Sequence, residues 1–488
     1  MAVLRLGEAL VDGTSKTRIC IYAFSTSAIF YRSLMDLCKA MGDDVEWSII
    51  CPQGHFRYVF KDVVPPDRLC YLYADFNEVY ARCGEEEIAH ALQSGEGAIV
   101  ALMKDKDGYR WLDGHEQLKR AAAMHEVYRA FLERVKPDFV LFPMLEVVDG
   151  FILINLCQTM GIGVLYSTLL RVVGGSYFSS DLYETLPPYF GSYTDEELSL
   201  ARTVLKNFYD KRVEHIPEHM HPLPQSLKPS WFRRLIVSEY LRRGPERLHL
   251  SEETEFNRVR RIMRRPAYKI RRWIFEITAS RYFDAIDLDE LPEKYILYTL
   301  HMTPEASINT IEPYYVDQLR VVDMLLLGLP SGYRLVVKEH PAMYGKRRLS
   351  FYDEVSRRPG LILLHPAVDT RRLIVGSSLV ATVSGTIGME TFLLGKPCLL
   401  FGRAFFAHLC HPAPPLPQLS ATINDIIASH VPASEAEKEI EIAKMLNIGG
   451  DFVIEDPWQV PHTLAPENIA TARECLWRHL DRMRGAAR

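Results

Sequence analysis

The chain has 488 residues, 48% of them hydrophobic and 24% charged, with a formal net charge of -5. That length exceeds one ordinary core, so two or three globular domains are expected, and the mild negative balance argues against a dedicated nucleic-acid binder. The nine cysteines are scattered without C-x-x-C or Cys/His ligand spacing, which fits buried thiols in a reducing compartment rather than a disulfide framework or zinc site.

MAVLRLGEALVDG lacks a basic segment followed by a sustained apolar core, so no signal peptide is expected. No run of about 18 uncharged apolar residues predicts a membrane span. TRICIYAF (17–24) reads as a first buried strand, SAIFYRSLMDLCKAMG as a helix and VEWSIIC as a second strand. This βαβ opening predicts a parallel sheet. Ser25, Thr26 and Ser27 lie at the first strand–helix junction, either as a cap or facing a cleft. The 76–120 region is polar and helical. HEQLKRAAAMHEVYRAFLERV is a long amphipathic helix leading into the strand DFVLFPM. Glu146 and Asp149 follow that strand and precede the helix FILINLCQTMG. Carboxylates at a strand end are placed for general-base work in a cleft, and capping the next helix is the competing role. GVLYSTLL is the next strand. GGSYFSSDLY, with Tyr177 and Asp181, reads as a glycine-rich loop facing an acceptor, without the spacing of a phosphate-binding loop.

Composition changes at 187–290. Prolines cluster at 187–188 and 217–229, and WFRRLIVSEYLRRGPER and RVRRIMRRPAYKIRRW interleave arginine with apolar residues. Three readings stand for the basic 231–272 segment: a solvated helical insertion, an interface for an anionic glycan, and contact with an anionic membrane surface.

A second α/β domain starts at YILYTL, with His301, Thr303, Glu305 and Ser307 in the loop at its carboxyl end. The helix DQLRVVDMLLLGLP follows. YRLVV, SLVATV and PCLLF then read as buried strands ending in Lys338-Glu339-His340-Pro341, Ser384-Gly385-Thr386 and Gly402-Arg403. Strand ends lying side by side are where open α/β sheets hold ligands. Ser384, Gly385 and Thr386 open the helix IGMETFLLG, whose first-turn amides suit a phosphate, and capping is the alternative. Glu390, one turn in, is placed to reach a ribose hydroxyl. Lys338 and His340 would supply charge and a hydrogen bond to a nucleotide. His365-Pro366 repeats the His-Pro dipeptide in a less polar loop. Helices at 434–447 and 466–484 close the chain, the last crossing back onto the first domain.

KEHP, VSGT-x-x-x-E and GKPCLLFG, together with LHMTPEASI (300–308) and YYVDQL (314–319), resemble bacterial capsule and surface-polysaccharide glycosyltransferases of GT-B architecture. Transferases of 3-deoxy-D-manno-oct-2-ulosonic acid (Kdo) are the nearest likeness. The resemblance covers roughly 295–402; the first half matches only in general layout. It implies an α/β protein with two Rossmann-like domains facing a cleft and a helical insertion. The expected boundaries are 1–186 for an acceptor-side domain, 187–290 for the basic insertion, 291–465 for the nucleotide-sugar domain and 466–488 for a final helix.

By the same resemblance His340 and Pro341 contact cytidine monophosphate, Ser384 and Thr386 hold its phosphate, and Glu390 is similar to a ribose-binding carboxylate. Glu305 is a donor-sugar or structural residue, and Glu146 or Asp149 supplies the catalytic carboxylate. The implied activity is sugar transfer from a nucleotide donor to a surface polysaccharide or glycolipid acceptor. CMP-Kdo is the favoured donor, with CMP-sialic acid or a UDP-sugar next. The donor is a substrate, and no cofactor is expected. Without a convincing D-x-D metal motif no metal is expected either. Such enzymes build on lipid-linked acceptors at the cytoplasmic face, which implies a cytoplasmic protein in peripheral contact with the inner membrane. A GT-B-fold nucleotide-sugar epimerase and a non-catalytic polysaccharide assembly or export partner remain as alternatives.

Overall fold

The computed structural model describes residues 16–24, 26–52, 57–93, 113–143, 148–170, 173–210, 274, 278, 281–284, 288–303, 308–309, 312–344, 347–455, 457 and 460–486. The basic segment, Glu146 and Glu305 lie outside the described residues.

The chain builds two sheets. The first contains β1 (Thr17–Tyr22), β2 (Val45–Cys51), β3 (Leu69–Tyr71), β4 (Phe139–Phe142), β5 (Gly163–Leu169) and β6 (Ser176–Ser179). The second contains β7 (Tyr295–Thr299), β8 (Arg334–Lys338), β9 (Leu361–Leu364), β10 (Leu379–Thr382), β11 (Cys398–Leu400) and β12 (His411–Pro412). β13 (Gly449–Gly450) returns to the first sheet, whose order is β13-β6-β5-β4-β1-β2-β3.

The parallel core strands are apolar on both faces because helices cover both. In β1, Cys20 and Tyr22 join one core while Ile19 and Ile21 join the opposite one. In β8, Leu335 and Val337 face one core and Val336 the other. The second sheet runs β12-β11-β10-β7-β8-β9 with every pairing parallel. Counted from β7 this is the 3-2-1-4-5-6 order of doubly wound nucleotide-binding folds, with its switch point between β7 and β10. The first sheet repeats 3-2-1-4-5 from β1, and β6 adds antiparallel to β5. The expected two-unit α/β architecture is present.

Two expectations about the first unit change. Ser176–Ser179 is a strand, and Tyr177 is 0% exposed with its hydroxyl donating to the Glu184 carbonyl at 2.6 Å. Asp181 accepts from the amides of Tyr183 (2.9 Å) and Thr185 (3.2 Å), so one of its oxygens braces the loop. Gly174 and Gly175, with φ of 93° and 75°, supply the left-handed turn that reverses the strand.

The units share an apolar core. Leu170, Ala201 and Leu205 pack with Met389, Leu393 and Leu400, and with Ile442 and Met445. The helix Asp195–Asp210, part of the expected insertion, lies against Glu435–Ile448, and Tyr209 donates to the Leu393 carbonyl at 3.1 Å. The last helix, Pro466–Ala486, does return to the first unit: Leu476 and Leu480 join the core of β1, and Arg473 and Trp477 bond Asp43 on the loop before β2. Among the described residues no helix is long and apolar enough to cross a membrane.

Candidate active site at the carboxyl edge of the second sheet

The SGT and KEHP strand ends are not adjacent. β7 lies between β10 and β8, which puts His301 in the middle of the edge. His301 is 5% exposed. Gln318 clamps its backbone, accepting from the His301 amide at 2.5 Å and donating to its carbonyl at 3.0 Å. The ring Nε2 lies 3.3 Å from both the Ser384 amide and the Thr382 hydroxyl. The Gly385 amide donates to that hydroxyl at 3.1 Å. A Cβ on Gly385 would stand 3.0 Å from Thr382 Oγ1 and 3.2 Å from His301 Nε2, so a side chain here would press on both partners.

The Ser384 and Gly385 amides are therefore engaged inward. The donors left to a ligand begin one residue later. Among the described residues the amides of Thr386 and Ile387 and the Thr386 hydroxyl make no hydrogen bond. Thr386 precedes the helix Ile387–Leu393 without capping it through its side chain, and Glu390 is half-buried in that helix's first turn.

On the other side of β7, Glu339 anchors a buried cluster. It is 1% exposed and accepts from Arg347 Nε at 2.8 Å, the Tyr352 hydroxyl at 2.5 Å and the His340 amide at 2.6 Å. Arg347 also donates to the His301 carbonyl, and to the Thr303 hydroxyl at 3.3 Å, tying the β7 and β8 ends together. Burial and the Glu339 carboxylate push the Tyr352 phenol up, keeping it a donor.

His340 caps the short turn Pro341–Met343, its Nδ1 accepting from the Ala342 amide at 3.1 Å. That bond leaves the proton of the neutral ring on Nε2. His365 makes the same bond with the Ala367 amide at 3.1 Å, at the end of the neighbouring β9, packed edge-on against Phe283 and Tyr344. Lys338 is 2% exposed. Burial first, and the Lys338 charge second, hold the His365 imidazole below its usual range.

At the β11 end, Arg403 is held by Glu312, which accepts from its amide at 2.8 Å and from Nε at 2.7 Å. Its guanidinium covers the Tyr183 ring of the first unit at 3.6 Å. Asp149 is half-buried in the first turn of the helix Val148–Met160, after β4, at the switch point of the first sheet between β1 and β4. A carboxylate there also gains from the helix dipole. Among the described residues no three His, Cys, Asp or Glu side chains gather to hold a metal ion.

The structure thus brings His301, His340, Ser384, Gly385 and Thr386 to one sheet edge. Reading the sequence did not single out Gln318, Arg347 or Thr382. Gln318 falls in the YYVDQL segment of the resemblance, whereas Arg347 reads as one of two loop arginines.

No curated protein matches the chain. Among solved structures, the beta-Kdo 2,4 transferase KpsC of Thermosulfurimonas dismutans has 13% identity and a TM-score of 0.34, covering 63% of this chain and 79% of that chain. The UDP-GlcNAc 2-epimerase of Methanocaldococcus jannaschii has 13% identity and a TM-score of 0.24, covering 89% and 100%. That of Neisseria meningitidis has 12% identity and a TM-score of 0.26, covering 95% and 100%. Residues 247–409 match the family model for capsule polysaccharide biosynthesis proteins, a span that holds every residue of the second-sheet edge described above. Through those residues the chain is similar to the capsule polysaccharide biosynthesis proteins.

Proposed function

We propose that the protein is a glycosyltransferase moving a sugar, Kdo from CMP-Kdo in the favoured case, from a nucleotide donor to a growing surface polysaccharide or glycolipid. The observation that carries this reading is the set of hydrogen-bond donors at the switch point of a 3-2-1-4-5-6 sheet, inside the span matched by the capsule family. The Thr386 and Ile387 amides and the Thr386 hydroxyl take the donor's phosphate, with Ser384 and Gly385 holding the loop in shape. Lys338, His340 and Pro341 take the nucleotide, and Glu390 the ribose. His301 and Glu305 line the donor side.

A carboxylate from the first unit, Asp149 or Glu146, activates the acceptor hydroxyl. The leaving phosphate is stabilised by these amides and side chains, so donor binding needs no divalent cation. The acceptor is a glycan, lipid-linked at the cytoplasmic face, with the basic segment supplying peripheral membrane contact.

Thermal unfolding against a panel of CMP, UDP and GDP with EDTA present tests the reading, because a ligand that binds the folded state raises the midpoint by mass action. A selective rise with CMP is expected. A rise with UDP alone, together with conversion of a UDP-sugar in the absence of any acceptor, would replace transfer by epimerisation. No rise with any nucleotide would favour a non-catalytic assembly partner.

A further inference from the structure

His301 is fixed in one tautomer, and the hydrogen it carries as a result meets no acceptor among the described residues. An amide only donates, so the Ser384 N–H 3.3 Å from Nε2 makes that nitrogen an acceptor. With Nε2 an acceptor, the Thr382 hydroxyl, which itself accepts from the Gly385 amide, meets that nitrogen as a donor. The proton of the neutral ring must then sit on Nδ1. That atom is buried and, among the described residues, has no hydrogen-bond partner. Gln318 grips the His301 backbone on both sides, so the ring is held by its main chain as well as by Nε2. Buried donors are almost always paired, and a fixed exception at the switch point of a nucleotide-type sheet calls for a partner.

The neighbouring groups define that partner's chemistry. The amides of Thr386 and Ile387, next along the loop that His301 holds, are open donors among the described residues. Open amides in the loop that Nε2 holds, with one more donor on the same ring, suit an anionic, oxygen-rich group. Burial first, then His340 and Arg347, lower the His301 pKa to about 3, so the ring stays neutral at any pH near neutrality.

We propose that His301 is a phosphate-binding residue of the donor site: Nδ1–H donates to a phosphoryl oxygen of the nucleotide while Nε2 holds the Ser384-Gly385-Thr386 loop. This rests on the nucleotide-sugar reading above and adds to it a neutral hydrogen-bond donor whose tautomer is set by the loop it supports.

Two substitutions separate the roles of the ring. His301→Gln places an amide oxygen near the Nε2 position, which keeps the loop but removes the Nδ1 donor. His301→Asn places an amide near Nδ1, which keeps a donor but releases the loop. Calorimetric titration with CMP and UDP should show His301→Gln folded, with a melting temperature near wild type and nucleotide affinity reduced about 10- to 100-fold, the loss of one hydrogen bond to a charged group. His301→Asn should melt lower yet bind more tightly than His301→Gln.

Histidine-selective 15N NMR supplies a readout that a purely structural role would not move. One imidazole should carry its proton on Nδ1, be absent from the spectrum of either variant, and shift when CMP is added. Wild-type affinity in His301→Gln, or an Nε2-protonated His301, would overturn the inference and leave the nucleotide reading in place. A wild-type protein that binds neither CMP nor UDP would overturn both.

Discussion

Arg347→Leu is the most informative single perturbation of the second unit. Arg347 is 8% exposed and Glu339 1%, so the substitution leaves a carboxylate in the interior whose donors among the described residues are the Tyr352 hydroxyl and the His340 amide. Breaking a buried ion pair from one side costs about 3–5 kcal/mol. The bonds to the His301 carbonyl and the Thr303 hydroxyl are lost with it. Glu339→Gln alone strands a buried guanidinium and should cost a similar amount. The double variant removes both charges while keeping an acceptor oxygen at position 339. It should therefore lose less than the sum of the singles, by about 2 kcal/mol. Urea unfolding followed by tryptophan fluorescence measures all four corners of the cycle, with the slope checked for constancy. A single variant within about 1 kcal/mol of wild type, or additive losses, would refute the view that this pair joins the ends of β7 and β8.

Three further outcomes are expected. Burial holds His301 at about 3 and His479 at about 4, below the ordinary value near 6.5, so the unfolded chain binds protons that the folded one refuses. Stability is then complete above roughly pH 6.5 and declines as the pH falls toward those folded values, by about 2 kcal/mol per histidine near pH 5. Urea midpoints for wild type and His479→Gln at two pH values check the sign, and a pH-independent difference between them would contradict it. Thr386→Ala should weaken nucleotide binding by about 1.5–3 kcal/mol with the fold intact, the loss of one hydrogen bond to a charged group, and unchanged calorimetric affinity would remove that hydroxyl from the site. Asp149→Asn should slow transfer about 10²–10⁴-fold without altering donor affinity, whereas a near-normal rate would leave Asp149 as a helix-dipole partner.

Much of this architecture is legible in the sequence because buried parallel strands must be short apolar runs. VEWSIIC, YILYT and RLVVK carry that signal without ambiguity. Strand order is not local information. Nothing in YRLVV or SLVATV says that YILYT comes between them, and so the central place of His301 appears only in the sheet. Arg347 is hidden for a related reason: in PAMYGKRRLS it looks like a solvated charge, and only the fold brings Glu339 to it. The Ser176–Ser179 strand was within reach, since two glycines between apolar runs mark a hairpin, but a serine- and glycine-rich run reads first as loop. β13 has only two residues and no pattern of its own.

The return of the chain to the first sheet sets an order for synthesis on the ribosome. Every strand of the second sheet lies between Tyr295 and Pro412, so that sheet can close as soon as this stretch has emerged. The first sheet begins earlier but finishes later. Ile19, Ile21, Phe139 and Leu141 pack early with residues such as Phe30 and Leu34, and wait for Phe452, Leu476 and Leu480 to complete their cover. Through the whole passage of the second unit that apolar face is only partly covered, which is the condition under which nascent chains recruit chaperones or stick to one another. Release of the chain just after Ile448 would make this permanent, with a folded second unit tethered to a first unit lacking part of one side of its core.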